Sequence, residues 1–112
     1  MTSTRQQKVA RLIQKELGLL FQEMAKSVFS GKMITVTTVR MTPDLSLARV
    51  YLSIFPLEKE EDYISVIRDN YKMLRHEMGN RVRHQVRIIP ELAFFLDDSL
   101  DYMDNIETLL KK

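Results

Sequence analysis

Between residues 33 and 55 the side chains alternate in character from one position to the next, whereas on both flanks apolar residues return every third or fourth position. A period of two belongs to a strand and a period near 3.6 to a helix. The first flank predicts one long amphipathic helix over about residues 4–28, with Val9, Leu12, Ile13, Leu17, Leu20, Met24 and Val28 on its apolar face. Ser3 with Gln6, and Thr4 with Gln7, have the spacing of a capping box just ahead of it. On the opposite face Arg5, Lys8, Arg11 and Lys15 form a solvent-facing stripe.

Ser30-Gly31-Lys32 ends that helix, and Met33 to Met41 predicts a strand with Ile34, Val36, Thr38 and Arg40 on one side and Met33, Thr35, Thr37 and Val39 on the other. Pro43 and Asp44 predict a turn, and Leu47 to Phe55 a second strand with Ala48, Val50, Leu52 and Ile54 on one side. The two strands are expected to pair as an antiparallel hairpin. After Pro56, the acidic run 58–62 favours a helix start, because carboxylates meet the positive end of the helix dipole there. Ile64, Ile67, Tyr71, Leu74 and Met78 then predict a second helical region over about residues 59–83, with a break expected near Asn70 or Gly79. Val86 to Leu96 predicts a third strand, in which Pro90 implies a bulge or an edge position. Asp97-Asp98-Ser99 are read as caps of a last short helix carrying Leu100, Met103, Ile106 and Leu110. The order α-β-β-α(kinked)-β-α predicts an α+β fold, a three-stranded sheet covered by helices. The long crossover between the second and third strands would let them run parallel.

With 112 residues, 45% hydrophobic and 29% charged, the chain is expected to form one domain over residues 1–112. No apolar run approaches the roughly 18 residues of a membrane span, and the amino terminus lacks an apolar export segment, so a cytoplasmic location is expected. The absence of cysteine excludes disulfides, a thiol nucleophile and thiolate metal sites.

The net charge of +2 conceals blocks of one sign: +4 over residues 1–32, −2 over 33–67, +4 over 68–90 and −4 over 91–112. Two basic blocks could join into one positive face and point to a polyanion, although a merely solvated face is the commoner meaning of such a pattern. His76 and His84 are eight residues apart, which misses the spacing that places two metal ligands on one helical turn. No phosphate-cradling glycine loop or nucleophile elbow occurs, and no metal or cofactor is expected. Asp97 and Asp98 are read as helix caps and not as an acid–base pair. The candidate nucleic-acid contacts are Arg68, Lys72 and Arg75, spaced to share a helical face, with Arg81, Arg83 and Arg87 extending it and Arg5, Lys8 and Arg11 on the first helix.

Two stretches carry more than composition. Residues 35–53, TVTTVRMTPDLSLARVYLS, and residues 87–99, RIIPELAFFLDDS, resemble the hairpin and third-strand segments of the bacterial ribosome-binding factor A family. The first helix and residues 106–110 are similar to the family's two ends, so the resemblance runs along nearly the whole chain. It implies a type II KH-like fold and a non-catalytic assembly factor that binds the small ribosomal subunit and its 16S rRNA, assists its late maturation and rRNA processing, and supports growth in the cold. It also implies no small-molecule substrate and no membrane partner, and the free protein is expected to be a monomer. Where the family commonly has an Ala-x-Gly kink, this chain has Asn70-Tyr71-Lys72. Residues 43–46 and 90–95 are assigned to the fold rather than to binding. The alternative from the residues themselves is a protein-interaction module that docks a partner through its amphipathic C-terminal helix.

Overall fold

Helix α1 (Thr4–Met24) opens on the capping box that the sequence predicts. The Ser3 hydroxyl accepts from the Gln6 amide at 3.1 Å, and the Gln6 carboxamide oxygen accepts from the Ser3 amide at 2.8 Å. Gln6 is buried because its Nε2 donates to the Met41 carbonyl at 3.0 Å, which ties the start of α1 to the end of the first strand. The computed structural model describes residues 3–29, 31–55 and 60–97. The expected C-terminal helix, and with it the alternative docking module, lies outside the described residues. Regular helix stops at Met24, short of the expected residue 28, and the chain continues in turns. Gly31 closes that tail at φ 78°, a conformation that costs a side-chain-bearing residue dearly, and its amide donates to the Ala25 carbonyl at 2.7 Å. The tail thereby places Phe29 against Phe21, ring centroids 5.4 Å apart.

Strands β1 (Met33–Met41) and β2 (Leu47–Phe55) pair antiparallel, as predicted. The expected facing of β1 is correct only for its first half. The register shifts between Val36 and Thr38, so Thr37 is an extra residue and the strand changes phase there. Ile34 and Val36 are buried before the bulge, but Val39 and Met41 after it, while Arg40 faces solvent. A bulge does this because one unpaired residue flips every later side chain to the other face. The Thr37 hydroxyl lies 3.1 Å from the Tyr51 carbonyl and 2.5 Å from Asp97 Oδ2, giving the bulge polar partners across the sheet. β2 buries Ala48, Val50, Leu52 and Ile54, the face read from the sequence.

In the hairpin turn, Asp44 Oδ1 accepts from the Thr42 hydroxyl at 2.8 Å, the Ser46 hydroxyl at 2.8 Å and the Ser46 amide at 3.1 Å. Leu45 follows at φ 62°, a left-handed conformation that costs a β-carbon about 1–2 kcal/mol. Its side chain packs against the core, which offsets that strain.

The second helical region is two helices, α2 (Glu60–Asp69) and α3 (Tyr71–Val82), divided at Asn70. Asn70 makes the break with ordinary negative φ, −105°. Its amide donates to the carbonyls of Val66 and Ile67, its Nδ2 donates to Val66 O at 2.8 Å, and its own carbonyl accepts from the Leu74 amide at 2.9 Å. The Asn side chain thus adds a second donor to a carbonyl that its own amide already reaches, tying the last turn of α2 to the break. The chain has neither residue of the Ala-x-Gly pair, yet the helical region is still interrupted here.

The third strand is shorter than expected. Residues 86–90 are not strand, and β3 (Glu91–Leu96) pairs parallel to β2 at the edge of a sheet of order β1-β2-β3. Pro90 sits buried just ahead of it, where its missing N–H removes nothing from the ladder. The helices lie on one face of the sheet. Ile13, Leu17 and Phe21 from α1, Ile67 from α2, and Leu74, Met78 and Val82 from α3 form one core with the inward residues of the three strands. Phe94 joins it edge-on to Phe21 and Tyr71, with centroids 6.3 Å from each. Among the described residues the opposite sheet face bears no helix.

Candidate nucleic-acid interface

The basic residues of α3 do not act as one uniform stripe, because the fold gives two of them other work. Arg75 reaches across to the connection leading into β3: its Nε donates to the Pro90 carbonyl at 3.1 Å and its Nη2 to the Ile89 carbonyl at 3.0 Å. The same guanidinium lies 3.5 Å from Glu91 Oε1. Tyr71 completes this clamp, donating to Glu91 Oε2 at 2.8 Å and accepting from the Leu92 amide at 3.2 Å. Burial, with the Glu91 carboxylate as acceptor and neighbouring charge, raises the Tyr71 phenol above its ordinary pKa. Arg81 pairs with Glu23 and so joins α3 to the end of α1.

Lys72 and Arg83 remain exposed and have no ion-pair partner among the described residues. With Arg75, His76 and Asn80 they border a cleft of about 490 Å³ whose floor includes Gly79 and Ile89. At Gly79 the Ile89 side chain packs over α3 at a distance that leaves room for a methyl group in ordinary contact, 3.4 Å from Ile89 Cγ2. Arg83 Nε is 3.3 Å from His84 Nε2, which places the two on the same exposed shoulder.

A second cleft, of about 330 Å³, is lined by residues 85–88 of the α3–β3 connection. Arg5 at the start of α1 and Arg87 from the connection line it together with Pro43 and Asp44 of the hairpin turn. The structure therefore brings the basic start of α1 to the second basic block, which the sequence left open. Asp44 is the counterweight there. Hydrogen bonds from the Thr42 hydroxyl, then the Ser46 hydroxyl and amide, hold its carboxyl below the usual carboxylate range, so it stays an anion beside the two arginines.

Of the nine predicted contacts, Lys72, Arg75 and Arg83 border the first cleft and Arg5 and Arg87 the second. Lys8 and Arg11 are exposed on α1, and Arg68 is exposed in the last turn of α2, but they line neither cleft. His76 and Asn80 are cleft residues that the sequence reading missed, and their positions four and eight after Lys72 on one helix were the available signal. Arg40 and Arg49 were also missed. Both are exposed and stand directly opposite each other across β1 and β2 on the sheet face away from the described helices, a pairing that counting outward from the turn would have found.

Chemically, ammonium and guanidinium groups in such clefts are suited to hydrogen-bond oxyanions. Among the described residues no three His, Asp or Glu side chains converge as a metal site, and no helix is long and apolar enough to cross a membrane.

Comparison with known proteins agrees along the chain. A family model described as Ribosome-binding factor A matches residues 5–110. The Ribosome-binding factor A of Cytophaga hutchinsonii is 46% identical over 112 residues, covering all of this chain and 84% of that protein. The crystal structure of ribosome-binding factor A from Thermus thermophilus superposes with a TM-score of 0.67 at 22% identity, covering 81% of this chain and 94% of that one. A homology model of the ribosome-binding factor A of the same organism, fitted into the electron-microscopy map of a 30S complex, superposes at 0.59 with 26% identity, covering 75% of this chain and 86% of that one.

Proposed function

The chain belongs to the ribosome-binding factor A family, and from that premise we propose that it binds the free small ribosomal subunit through phosphates of 16S rRNA and assists late maturation and rRNA processing without bond chemistry of its own. The observation that carries this reading is the pair of clefts with basic borders that share the α3–β3 connection, with Lys72, Arg83, Arg5 and Arg87 exposed to solvent. The relative fitted into a 30S complex supports the choice of partner. Arg68, Lys8 and Arg11 supply further charge around these clefts, attracting the polyanion over a distance of about a Debye length, roughly 8–10 Å at physiological salt. Arg75 contributes mainly by holding the connection on which Arg83 and Arg87 stand.

Binding through phosphates releases condensed counterions, so affinity must fall as salt rises. Sedimentation of a cell lysate at low and physiological salt tests both parts. The protein should travel with free small subunits and not with translating ribosomes, and the association should weaken at the higher salt. Migration with intact ribosomes only, or a salt-independent association with small subunits, would contradict the proposal.

A further inference from the structure

The face of the sheet that no described helix covers is built unlike a surface that only meets water. Tyr51 and Phe95, neighbours in the β2–β3 register, stack with centroids 5.3 Å apart and planes 26° from parallel. Phe95 is 42% exposed, and Phe55 at the far end of β2 is 71% exposed. Next to the stack, Arg40 and Arg49 are directly opposed on β1 and β2. Like charges directly opposite on a sheet are destabilising. Neither arginine has a hydrogen bond or ion pair to a described residue. The described carboxylates on the remaining strand positions of this face lie at its margins, Glu91 clamped to Tyr71 and Arg75, and Asp97 bonded to Thr37.

We propose that this face is a second RNA surface, distinct from the helical clefts, on which unpaired nucleotides stack a base on the Tyr51–Phe95 platform and set their phosphates on Arg40 and Arg49. A flat aromatic pair beside two guanidinium groups is the combination by which sheets hold single-stranded RNA: rings accept any base, and the cations neutralise the backbone. Duplex RNA keeps its bases inside and offers the platform nothing. The charge complement selects a polyanion over a second copy of this chain, whose equivalent face would bring four arginines together. This inference rests on the small-subunit reading and adds that the contacted rRNA includes a single-stranded segment.

The test uses the full chain, isotopically labelled, titrated with an unstructured RNA octamer and with a duplex of equal charge, alongside Phe95→Leu and the double variant Arg40→Gln/Arg49→Gln. The octamer should shift amide resonances of Arg40, Arg49, Tyr51 and Phe95, whereas the duplex should leave them in place. Phe95→Leu should weaken octamer binding by about five-fold or more, the loss of one base–aromatic stack. The arginine double variant should lower the salt slope by about 1.4, two phosphates at roughly 0.7 each. Unmoved sheet resonances, equal shifts with the duplex, or variants that bind as the parent does would overturn the inference, as would shifts that depend on protein concentration without RNA, which would mean a second copy. If those failures occur while the protein still sediments with small subunits, only this second surface falls. Loss of that sedimentation would instead bring down the functional reading itself.

Discussion

The Arg75 Nε donates to the Pro90 carbonyl at 3.1 Å, so a residue that sequence spacing assigns to a ligand-binding face holds the entrance to β3. Removing it should weaken the fold before it weakens any RNA contact. Arg75→Ala should cost about 1.5–3 kcal/mol, the range for hydrogen bonds to a charged group. Arg75→Lys should recover only part of that, since an ammonium cannot fork across two carbonyls as the guanidinium does. Urea unfolding of the three proteins checks the order.

Charge and packing should separate cleanly on α3. Lys72→Glu combined with Arg83→Glu should weaken small-subunit binding several-fold and leave the urea midpoint nearly unchanged, because exposed side chains without ion-pair partners contribute little to folding. Leu74→Ala or Ile67→Ala should do the reverse, costing about 2–5 kcal/mol, as both side chains are fully or almost fully buried. Binding and unfolding measured on the same preparations decide it, and normal binding by the charge-reversed double variant would remove the first cleft from the interface.

Gly79 lies inside α3, where glycine costs a helix about 1 kcal/mol relative to alanine. A methyl group there would meet Ile89 side-chain atoms at 3.4, 3.6 and 3.7 Å, ordinary contact distances. Gly79→Ala should therefore raise stability by up to about 1 kcal/mol. Gly79→Leu should lower it by pushing the α3–β3 connection away. Thermal unfolding of the two variants should move in opposite directions.

The hairpin turn should carry an acid-sensitive part of the stability. Asp44 is more acidic in the folded chain than in the unfolded one, because the Thr42 and Ser46 donors favour its charged form. Its contribution is therefore complete above the ordinary aspartate range and is lost as pH falls through the lowered value, in the region below about pH 4. Asp44→Asn should be less stable than the parent at neutral pH, and the difference should shrink in acid. Unfolding midpoints of both proteins between neutral pH and about pH 3 test that convergence.

Local rules were enough wherever a residue's neighbours in sequence are also its neighbours in space. The capping box of Ser3 and Gln6 and the apolar phase of β2 were legible because hydrogen-bonding reach and side-chain period set them within a few residues, while the break at Asn70 was one of two places the sequence offered and the parallel return of the third strand was allowed by the length of the crossover. The long match of the hairpin and third-strand motifs made the family legible as well. Tertiary structure decided what depends on partners far along the chain. The bulge at Thr37 reverses the facing of Arg40, yet nothing in an unbroken run of β-formers marks the one position where the ladder skips. Likewise, Lys72 and Arg75 are both cations on one helix, and only the packing of the connection against Gly79 brings the Ile89 and Pro90 carbonyls within reach of Arg75 while leaving Lys72 in solvent. The sequence determined which residues are cationic, and the fold determined which of those cations already have a partner, since a guanidinium's bonds depend on distances that periodicity does not encode.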